Sequence, residues 1–143
     1  MAVSKAKTLH AVTFALAVLF CFSYLTPIVS AKEGSIYIDN YSATMYADNN
    51  GYVEAWFHIT GIGIMDEIGA VSIDIIENGT LVKTYKYTNT PGLLVYNKFI
   101  HAGSVTYAGT VGKNYKAYVT YKAGKNGGWD NRGLETNTVT ARN

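Results

Sequence analysis

The chain has 143 residues, of which 48% are hydrophobic and 15% charged, so its apolar content is sufficient for a buried core. Its formal net charge of +2 comes from Lys5 and Lys7, because the other ten Lys and Arg balance the ten Asp and Glu. The rest of the chain is neutral and has no Lys/Arg cluster, so it lacks the electrostatic features of a nucleic-acid-binding protein.

Residues 1–31 have the features of an export signal. Two lysines precede an apolar run at residues 11–25, and Val29-Ser30-Ala31 offers the small residues that signal peptidase requires. The run is shorter than the ~20 residues of a membrane-spanning helix. We therefore expect cleavage after Ala31, secretion of the remaining chain and no membrane span in it. An uncleaved membrane anchor is the alternative.

Residues 32–143 are long enough for one domain with one core. They contain no cysteine, because Cys21 lies within the export signal, so no disulfide can stabilise the domain. Its stability must therefore come from burying the apolar faces of its own elements.

The first strands are predicted from alternating apolar and polar residues. Residues 35–39 predict a short strand, and residues 46–51 end in a turn. Residues 52–60 predict a second strand, with Trp56 among its outward side chains. Its inward residues are Val53, Ala55, Phe57 and Ile59. Residues 61–65 (Gly-Ile-Gly-Ile-Met) predict an apolar loop, because two glycines interrupt the alternation.

Asn78-Gly79 predicts a tight hairpin in the middle of the chain. Both residues accept positive φ, and strand-like runs flank them at residues 70–77 and 81–88. The inward residues of the first run are Val71, Ile73 and Ile75.

The next stretch is harder to assign. Thr90-Pro91-Gly92 predicts a turn, and residues 93–100 are ambiguous between a short strand and one helical turn. Residues 104–108 predict a strand with Val105 and Tyr107 inward.

The end of the chain predicts a strand, a long turn and a last strand. Residues 115–122 alternate, and the face that carries Ala117 and Val119 is the more apolar and should point inward. Residues 123–133 are rich in Gly and Asn and predict a loop. Residues 134–141 are rich in Thr and Val and predict the last strand.

The pattern Gly112-x-x-Tyr115-x-Ala117-x-Val119, followed by a Gly-rich turn and a Thr-rich strand, resembles the F–G hairpin of immunoglobulin-like and fibronectin type III-like sandwiches. The resemblance implies a tyrosine corner, in which the hydroxyl of Tyr115 binds the backbone of the preceding connection. About seven strands separated by turns, with no convincing helix, predict an all-β fold. We expect residues 32–143 to form a single antiparallel two-sheet sandwich, immunoglobulin-like.

The same residues also resemble small secreted proteins of Gram-positive bacteria that carry a domain of unknown function. The resemblance lies in Tyr-Ala-Asp-Asn-Asn-Gly at residues 46–51 and in Gly-Gly-Trp-Asp at residues 127–130. It implies a Gram-positive origin, which the absence of cysteine fits, and it implies no activity.

No motif of a catalytic site is present. His58 and His101 are the only histidines of residues 32–143, and there is no HExxH sequence or nucleophile elbow. Ser104, His101 and Asp130 could form a trio, but most secreted domains offer one. We expect no enzyme, no catalytic residue and no cofactor.

Two short segments resemble fragments of calcium loops. They are Asp48-Asn49-Asn50-Gly51 and Asp130-Asn131-Arg132-Gly133. Neither continues into the spaced oxygens and closing Glu of an EF-hand. Because Asp, Asn and Gly dominate ordinary turns, we expect turns and no metal site.

Aromatic residues give the only positive indication of function. Trp129 is predicted at the tip of the last hairpin, Tyr118 faces outward, and Tyr85 and Tyr87 share one face of the fourth strand. Exposed aromatic planes stack on sugars or anchor protein partners, so these four are the candidate binding residues. The structural alternative is that Trp129 folds back over the sheet and that Tyr85 or Tyr87 belongs to the core.

We therefore expect a secreted, non-enzymatic binding module whose ligand is a cell-envelope glycan or a protein. The alternative is a structural or inhibitor-type interaction protein that acts through a sheet edge by strand addition.

Overall fold

A computed structural model describes residues 34–143, so the predicted export signal lies outside the described residues. The described part folds into one compact unit of seven β-strands without a helix. The strands are β1 (Ile38–Ala47), β2 (Tyr52–Glu77), β3 (Thr80–Lys86), β4 (Leu94–Ala108), β5 (Asn114–Lys125), β6 (Gly128–Glu135) and β7 (Val139–Thr140). All strand pairs are antiparallel. The predicted all-β, antiparallel class is confirmed. Over the same residues, no helix could cross a membrane.

The 26-residue strand β2 organises the sheet. Its first half pairs with β1 on one edge and with β4 on the other. Its second half pairs with β5 on one edge, and with the start of β4 and then β3 on the other. β6 and β7 both pair with β5. Because β2 belongs to both halves, the strands form one continuous sheet that curls into a half-barrel.

The core lies inside this curl and follows the period-two alternation of the strands. The four inward residues predicted on residues 52–60 are fully buried. On β5, Tyr115, Ala117, Val119 and Tyr121 are fully buried while the residues between them are partly or well exposed. The alternation therefore predicted the inner faces of these two strands correctly.

The predicted loop at residues 61–65 is wrong, because β2 continues through it. Thr60 pairs with Ile100 and Met65 with Lys98, so four residues of β2 face Phe99 alone in a wide bulge. A Cβ atom on residue 61 would lie 2.8 Å from Cγ of Met65. Glycine at this position lets the Met65 side chain pack back into the core, so the glycines bend the strand without ending it.

Two other boundaries also differ from the prediction. The first strand runs over residues 38–47 and not 35–39. The ambiguous stretch at residues 93–100 and the strand predicted at residues 104–108 belong to one strand, β4, which begins at Leu94. Val71 was predicted inward but is only partly buried. A register shift between Ala70 and Ser72 buries Ala70 instead.

The Asn78-Gly79 hairpin is confirmed, with φ of 45° and 86° and β2 paired to β3. The long loop predicted at residues 123–133 is wrong. Asn126-Gly127, with φ of 53° and 80°, forms a second tight turn, and β6 begins directly after it. The predicted last strand is divided between the end of β6 and the short β7.

The hydroxyl of Tyr115 makes the contact that the tyrosine-corner resemblance implies. It accepts a hydrogen bond from the backbone N–H of Thr110, 2.8 Å away, and donates one to the carboxylate of Glu77. Burial, followed by the hydrogen bond to Glu77, raises the pKa of Tyr115. The contact fastens the start of β5 to the connection before it.

Candidate functional site

Four residues on neighbouring strands form a row across the outer face of the sheet. Tyr96 of β4 pairs with Glu67 of β2, Glu67 pairs with Gly124 of β5, and Gly124 pairs with Trp129 of β6. Residues directly opposite each other in a sheet project from the same face. Since adjacent strands lie about 4.8 Å apart, the two aromatic residues stand roughly 14 Å apart at the ends of the row.

A groove of about 240 Å³ follows this row. Trp129 and Tyr96 are well exposed, at 58% and 61%. The groove is lined by Asp66, Glu67, Tyr96, Lys122, Gly124, Lys125, Gly127, Gly128 and Trp129. Two aromatic side chains, charged groups of both signs and a backbone floor of glycines therefore meet in one depression.

Gly124 is one of the glycines that line the groove. A Cβ atom at this position would lie 2.9 Å from the carbonyl oxygen of Gly128 and 3.2 Å from Cβ of Trp129. Any other residue would force β5 and β6 apart or fill the groove. The groove therefore depends on a glycine in the interior of a strand.

An ion pair holds the middle of the row. Lys122 binds the carboxylate of Glu67, and both side chains are about one quarter exposed. The ammonium of Lys122 also lies 5.2 Å from the centre of the Trp129 ring, within cation–π range. Lys122 therefore fixes one side of the indole ring and leaves the rest of it accessible to solvent.

Two aspartates tie the turn end of the β5–β6 hairpin to neighbouring segments of the chain. A carboxylate oxygen of Asp66 accepts the N–H of Asn126 at 2.7 Å, which ties the turn to β2. A carboxylate oxygen of Asp130 accepts the hydroxyl of Ser35 and the backbone N–H groups of Ile36 and Tyr37, the latter two at 2.7 and 2.9 Å. These hydrogen bonds, that of Ser35 first, lower the pKa of Asp130.

Of the four predicted binding residues, only Trp129 lines the groove. Trp129 is the second residue of β6 and does not sit at a loop tip, because the turn precedes it. Tyr118 is exposed on the outer face, but it pairs with Glu135, six residues from the Gly124–Trp129 pair along β5. Its hydroxyl lies over Gly133, where a Cβ atom would stand. Tyr118 thus covers a glycine of β6 that lies four residues, roughly 13 Å, along the strand from Trp129.

Tyr85 and Tyr87 lie on the other hairpin. Tyr85 is partly buried against the core, and its hydroxyl donates to the carbonyl oxygen of Thr106 at 2.8 Å. Burial raises the pKa of Tyr85. Tyr87 follows the end of β3 in a turn and is exposed. The two tyrosines therefore do not share a strand face, and neither belongs to the row that ends at Trp129.

Sequence reasoning missed Tyr96, Glu67 and Lys122 as groove residues. Tyr96 lies in the stretch that was ambiguous between strand and helix, and Glu67 follows the predicted loop. Their pairing could be found only once both segments were known to be strands. Gly124 carried a signal, because a glycine inside a strand often marks a close approach of another backbone.

The possible trio of His101, Ser104 and Asp130 is not assembled. His101 packs edge-on against the buried Phe57, and its Nε2 atom lies 2.7 Å from the carbonyl oxygen of Gly92. Ser104 is exposed, three residues further along β4 and therefore on the opposite face of the strand. Asp130 is engaged by the segment at residues 35–37.

The segment Asp48–Gly51 is an ordinary turn, in which the Asp48 carboxylate accepts the N–H groups of Asn50 and Tyr52 at 2.9 and 3.0 Å. Within residues 34–143, no group of three or more His, Cys, Asp or Glu side chains could hold a metal ion.

Comparison with protein-family models, with curated proteins and with solved structures found no match to the chain.

Proposed function

We propose that this protein is a secreted, non-enzymatic binding module and that the groove between Trp129 and Tyr96 binds a glycan of the cell envelope. The observation that carries the proposal is the row of Tyr96, Glu67, Gly124 and Trp129, which places two exposed aromatic rings on either side of a charged, glycine-floored depression. A glycan suits it because sugar rings offer apolar C–H faces for stacking and hydroxyl groups for hydrogen bonds.

Each part of the groove has a role in this proposal. A sugar ring stacks on the accessible face of Trp129, and Tyr96 contacts a second sugar at the far end. The carboxylates of Glu67 and Asp66 accept hydrogen bonds from sugar hydroxyls, which charged acceptors strengthen. Because the aromatic residues stand roughly 14 Å apart, an oligosaccharide fits better than a single sugar.

The proposal includes an immunoglobulin-like arrangement of the half-barrel. The first half of β2 with β1 and β4 would form one layer, and the second half of β2 with β3, β5 and β6 the other. The Tyr115 hydroxyl bound to the Thr110 backbone supports this assignment, because that contact is a feature of such sandwiches.

The test is a glycan array followed by titration of each bound oligosaccharide with Trp129→Ala and Trp56→Ala variants. Trp56 is the matched control, since it is an exposed Trp on the outer face of the first half of β2 and does not line the groove. We expect Trp129→Ala to weaken binding at least tenfold, as loss of a central aromatic contact does, and Trp56→Ala to leave it unchanged. Equal affinity of the wild type and Trp129→Ala would refute the proposed site.

One observation favours strand addition as a second function. Within residues 34–143, β4 pairs with β2 along one edge only, and residues 99–108 contain no Lys, Arg, Asp or Glu. Edge strands usually carry such charges to prevent pairing, as β3 does with Lys83 and Lys86. The β4 edge is therefore the one to which a partner's strand would add.

Proline tests this edge without disturbing the core. The carbonyl of Thr106 faces away from β2, because it accepts the Tyr85 hydroxyl, so the N–H of Ser104 faces the same way. Ser104→Pro removes one outward donor. We expect oligomers or partner complexes seen in light scattering to be lost in this variant, while complexes that survive it would exclude the edge.

A further inference from the structure

The sequence contains three Asn-Gly pairs, and each is a candidate site of deamidation. They are Asn50-Gly51, Asn78-Gly79 and Asn126-Gly127. In this reaction the backbone nitrogen of the glycine attacks the side-chain amide of the asparagine, and glycine favours the attack because it has no side chain to hinder the approach. All three asparagines are exposed, so their hydrogen bonds must decide which one reacts.

Two of the three pairs are held by hydrogen bonds to distant parts of the chain. The side-chain oxygen of Asn78 accepts the N–H of Asn114 at 3.1 Å, and the N–H of Asn78 donates to the carbonyl of Asn114 at 2.9 Å. At the other pair, the N–H of Gly51 donates to the carbonyl of Arg142 at 2.8 Å. A bonded side chain cannot turn toward the glycine nitrogen, and a nitrogen whose proton is bonded is a poor nucleophile. A hydrogen bond must therefore break before either pair reacts.

The pair Asn126-Gly127 lacks both restraints. The backbone N–H of Asn126 donates to the carboxylate of Asp66 at 2.7 Å, which leaves the side chain free to rotate. Within the described part of the chain, neither the side-chain amide of Asn126 nor the N–H of Gly127 has a hydrogen-bond partner. No atom lies within 4 Å of the place where a Cβ atom of Gly127 would stand. The φ values are close to those of the Asn78-Gly79 turn, so the two turns differ in the restraint on the asparagine side chain.

We propose that Asn126 is the deamidation site of the folded protein and that its conversion weakens ligand binding in the groove. The Gly127 nitrogen forms a bond to Cγ of Asn126, and the bond from Cγ to Nδ2 breaks. The Nδ2 group leaves as ammonia and takes up a proton in exchange for the one that the Gly127 nitrogen releases. Water then opens the cyclic imide. Its attack on Cγ gives aspartate, and its attack on the main-chain carbonyl carbon gives isoaspartate.

Both products change the end of the groove that lies beside the turn. The groove lining carries two carboxylates and two ammonium groups, so its formal charges cancel. A carboxylate at residue 126 adds a negative charge between Lys125 and Gly127, which both line the groove. It also places this charge next to Asp66, whose carboxylate binds the N–H of residue 126. Like charges at this distance repel each other, so the hydrogen bond that ties the turn to β2 is weakened.

Isoaspartate has a second effect, because the main chain then runs through the former side chain and gains one carbon atom. The Asn126-Gly127 turn joins residues that pair directly, Lys125 with Gly128. The register of a hairpin is fixed by the type and length of its turn. A longer turn therefore disturbs the pairing next to Trp129, the aromatic residue at this end of the groove.

Peptide mapping of the folded protein after incubation at mildly alkaline pH tests the reaction. The map separates the Asn, Asp and isoAsp forms of each pair. We expect Asn126 to convert about tenfold faster than Asn78 or Asn50, because the need to break a hydrogen bond changes a rate by about this factor. Incubation in concentrated urea is the control. There the three pairs should convert at similar rates, because the hydrogen bonds of the fold are absent.

Three outcomes would overturn the proposal. The first is conversion of Asn78 or Asn50 as fast as that of Asn126 in the folded protein. The second is an unchanged Asn126 in the folded protein after the urea sample has converted. The third is the same preference for Asn126 in urea, because the selectivity would then come from the local sequence and not from the fold.

The effect on binding rests on the proposed glycan groove and is measured separately. Ion exchange separates converted from unconverted protein, since each product adds a negative charge. We expect the converted fraction to bind an oligosaccharide identified on the array more weakly than the unconverted fraction. Asn126→Asp adds the charge without lengthening the main chain, so its affinity should lie between the two. Asn78→Asp, the matched control in the other turn, should bind like the wild type.

Equal affinity of the two fractions would overturn the effect on the groove. An array that yields no bound glycan would instead refute the proposed function, and the peptide map would still decide whether Asn126 is the site of deamidation.

Discussion

Two of the hairpins in residues 34–143 share an Asn-Gly turn but differ in the side chains around it. Asn78-Gly79 and Asn126-Gly127 both take the positive φ values of a tight two-residue turn. The first joins β2 to β3, whose residues alternate between apolar and polar over most of their length. The second joins β5 to β6, which contains glycines at residues 128 and 133. The same turn thus closes one hairpin with side chains at most strand positions and one in which glycines leave several strand positions without a side chain.

Aromatic side chains compensate for the glycines of the β5–β6 hairpin. The Tyr37 hydroxyl lies over Gly128, and the Tyr118 hydroxyl lies over Gly133, at the places where Cβ atoms would stand. Covering a strand glycine with an aromatic ring from a neighbouring segment restores packing that the glycine lacks. Trp129 beside Gly124 is the most exposed of these aromatic residues, at 58% against 42% for Tyr118, and it lines the groove, so it is the one placed to contact a ligand there.

The largest difference between the hairpins should appear when a tyrosine is removed from each. Tyr121 on β5 is fully buried and donates to the carbonyl of Ser42 at 2.6 Å, whereas Tyr85 on β3 is only partly buried. We expect Tyr121→Ala to lower the free energy of unfolding by about 3–5 kcal/mol, as for other large buried aromatics. Tyr85→Ala should cost about 1–2 kcal/mol, because less area is lost.

Urea unfolding followed by far-ultraviolet circular dichroism measures both changes. Equal losses from the two variants would mean that β3 is as central to the core as β5, contrary to the burial pattern.

A glycine substitution in each hairpin sharpens the comparison. In Gly124→Ala the new methyl group would meet the Gly128 carbonyl oxygen at 2.9 Å, so we expect a loss of about 1–3 kcal/mol from overpacking. In Gly79→Ala no atom lies within 4 Å of the new methyl group, and only the strain of a positive φ remains, about 1 kcal/mol. Gly124→Ala should also abolish glycan binding, which Gly79→Ala should preserve. Titration of both variants with the same oligosaccharide checks this, and binding by Gly124→Ala would contradict the proposed floor.

The contrast between the hairpins also explains how far sequence alone could reach. Alternation predicted the inner faces of residues 52–60 and of β5, because burial on one face imposes period two. It failed at residues 123–133, because glycines have no side chain to alternate. It failed at residues 61–65 for the same reason, although β2 continues there.

The groove could be predicted only in part. Trp129 is conspicuous in the sequence because a large aromatic residue among glycines and polar residues has little local packing. Tyr96 and Glu67 could not be joined to it, because their contact depends on the register of four strands, two of which were not recognised at these residues. Register is fixed by tertiary packing and bulges, which period-two alternation does not encode.

Acid should affect the β5–β6 hairpin through Asp130. Its pKa is lowered in the folded protein, so its contribution to stability is present above the unfolded value of about 4 and is lost as pH falls through the folded pKa. We expect the wild type to lose part of its stability below pH ~4 and Asp130→Asn to lose less over that interval, starting from a lower value at pH 7. Urea unfolding of both proteins as a function of pH measures this. Parallel curves would mean that the carboxylate does not stabilise residues 35–37 in the folded state.

The smallest effect should come from the ion pair at the far end of the same hairpin. Lys116 and Glu135 lie 2.9 Å apart, with side chains 32% and 51% exposed, so water screens their attraction. We expect Glu135→Gln to change the free energy of unfolding by no more than about 0.5 kcal/mol, and less at high salt. A much larger loss would mean that the ion pair holds β6 in register. In that case the ion pair, and not the packing of aromatic rings over Gly128 and Gly133, would be the main source of stability in this hairpin. A small loss would instead indicate that the two hairpins differ in how aromatic rings pack over the glycines of β6, and not in their electrostatics.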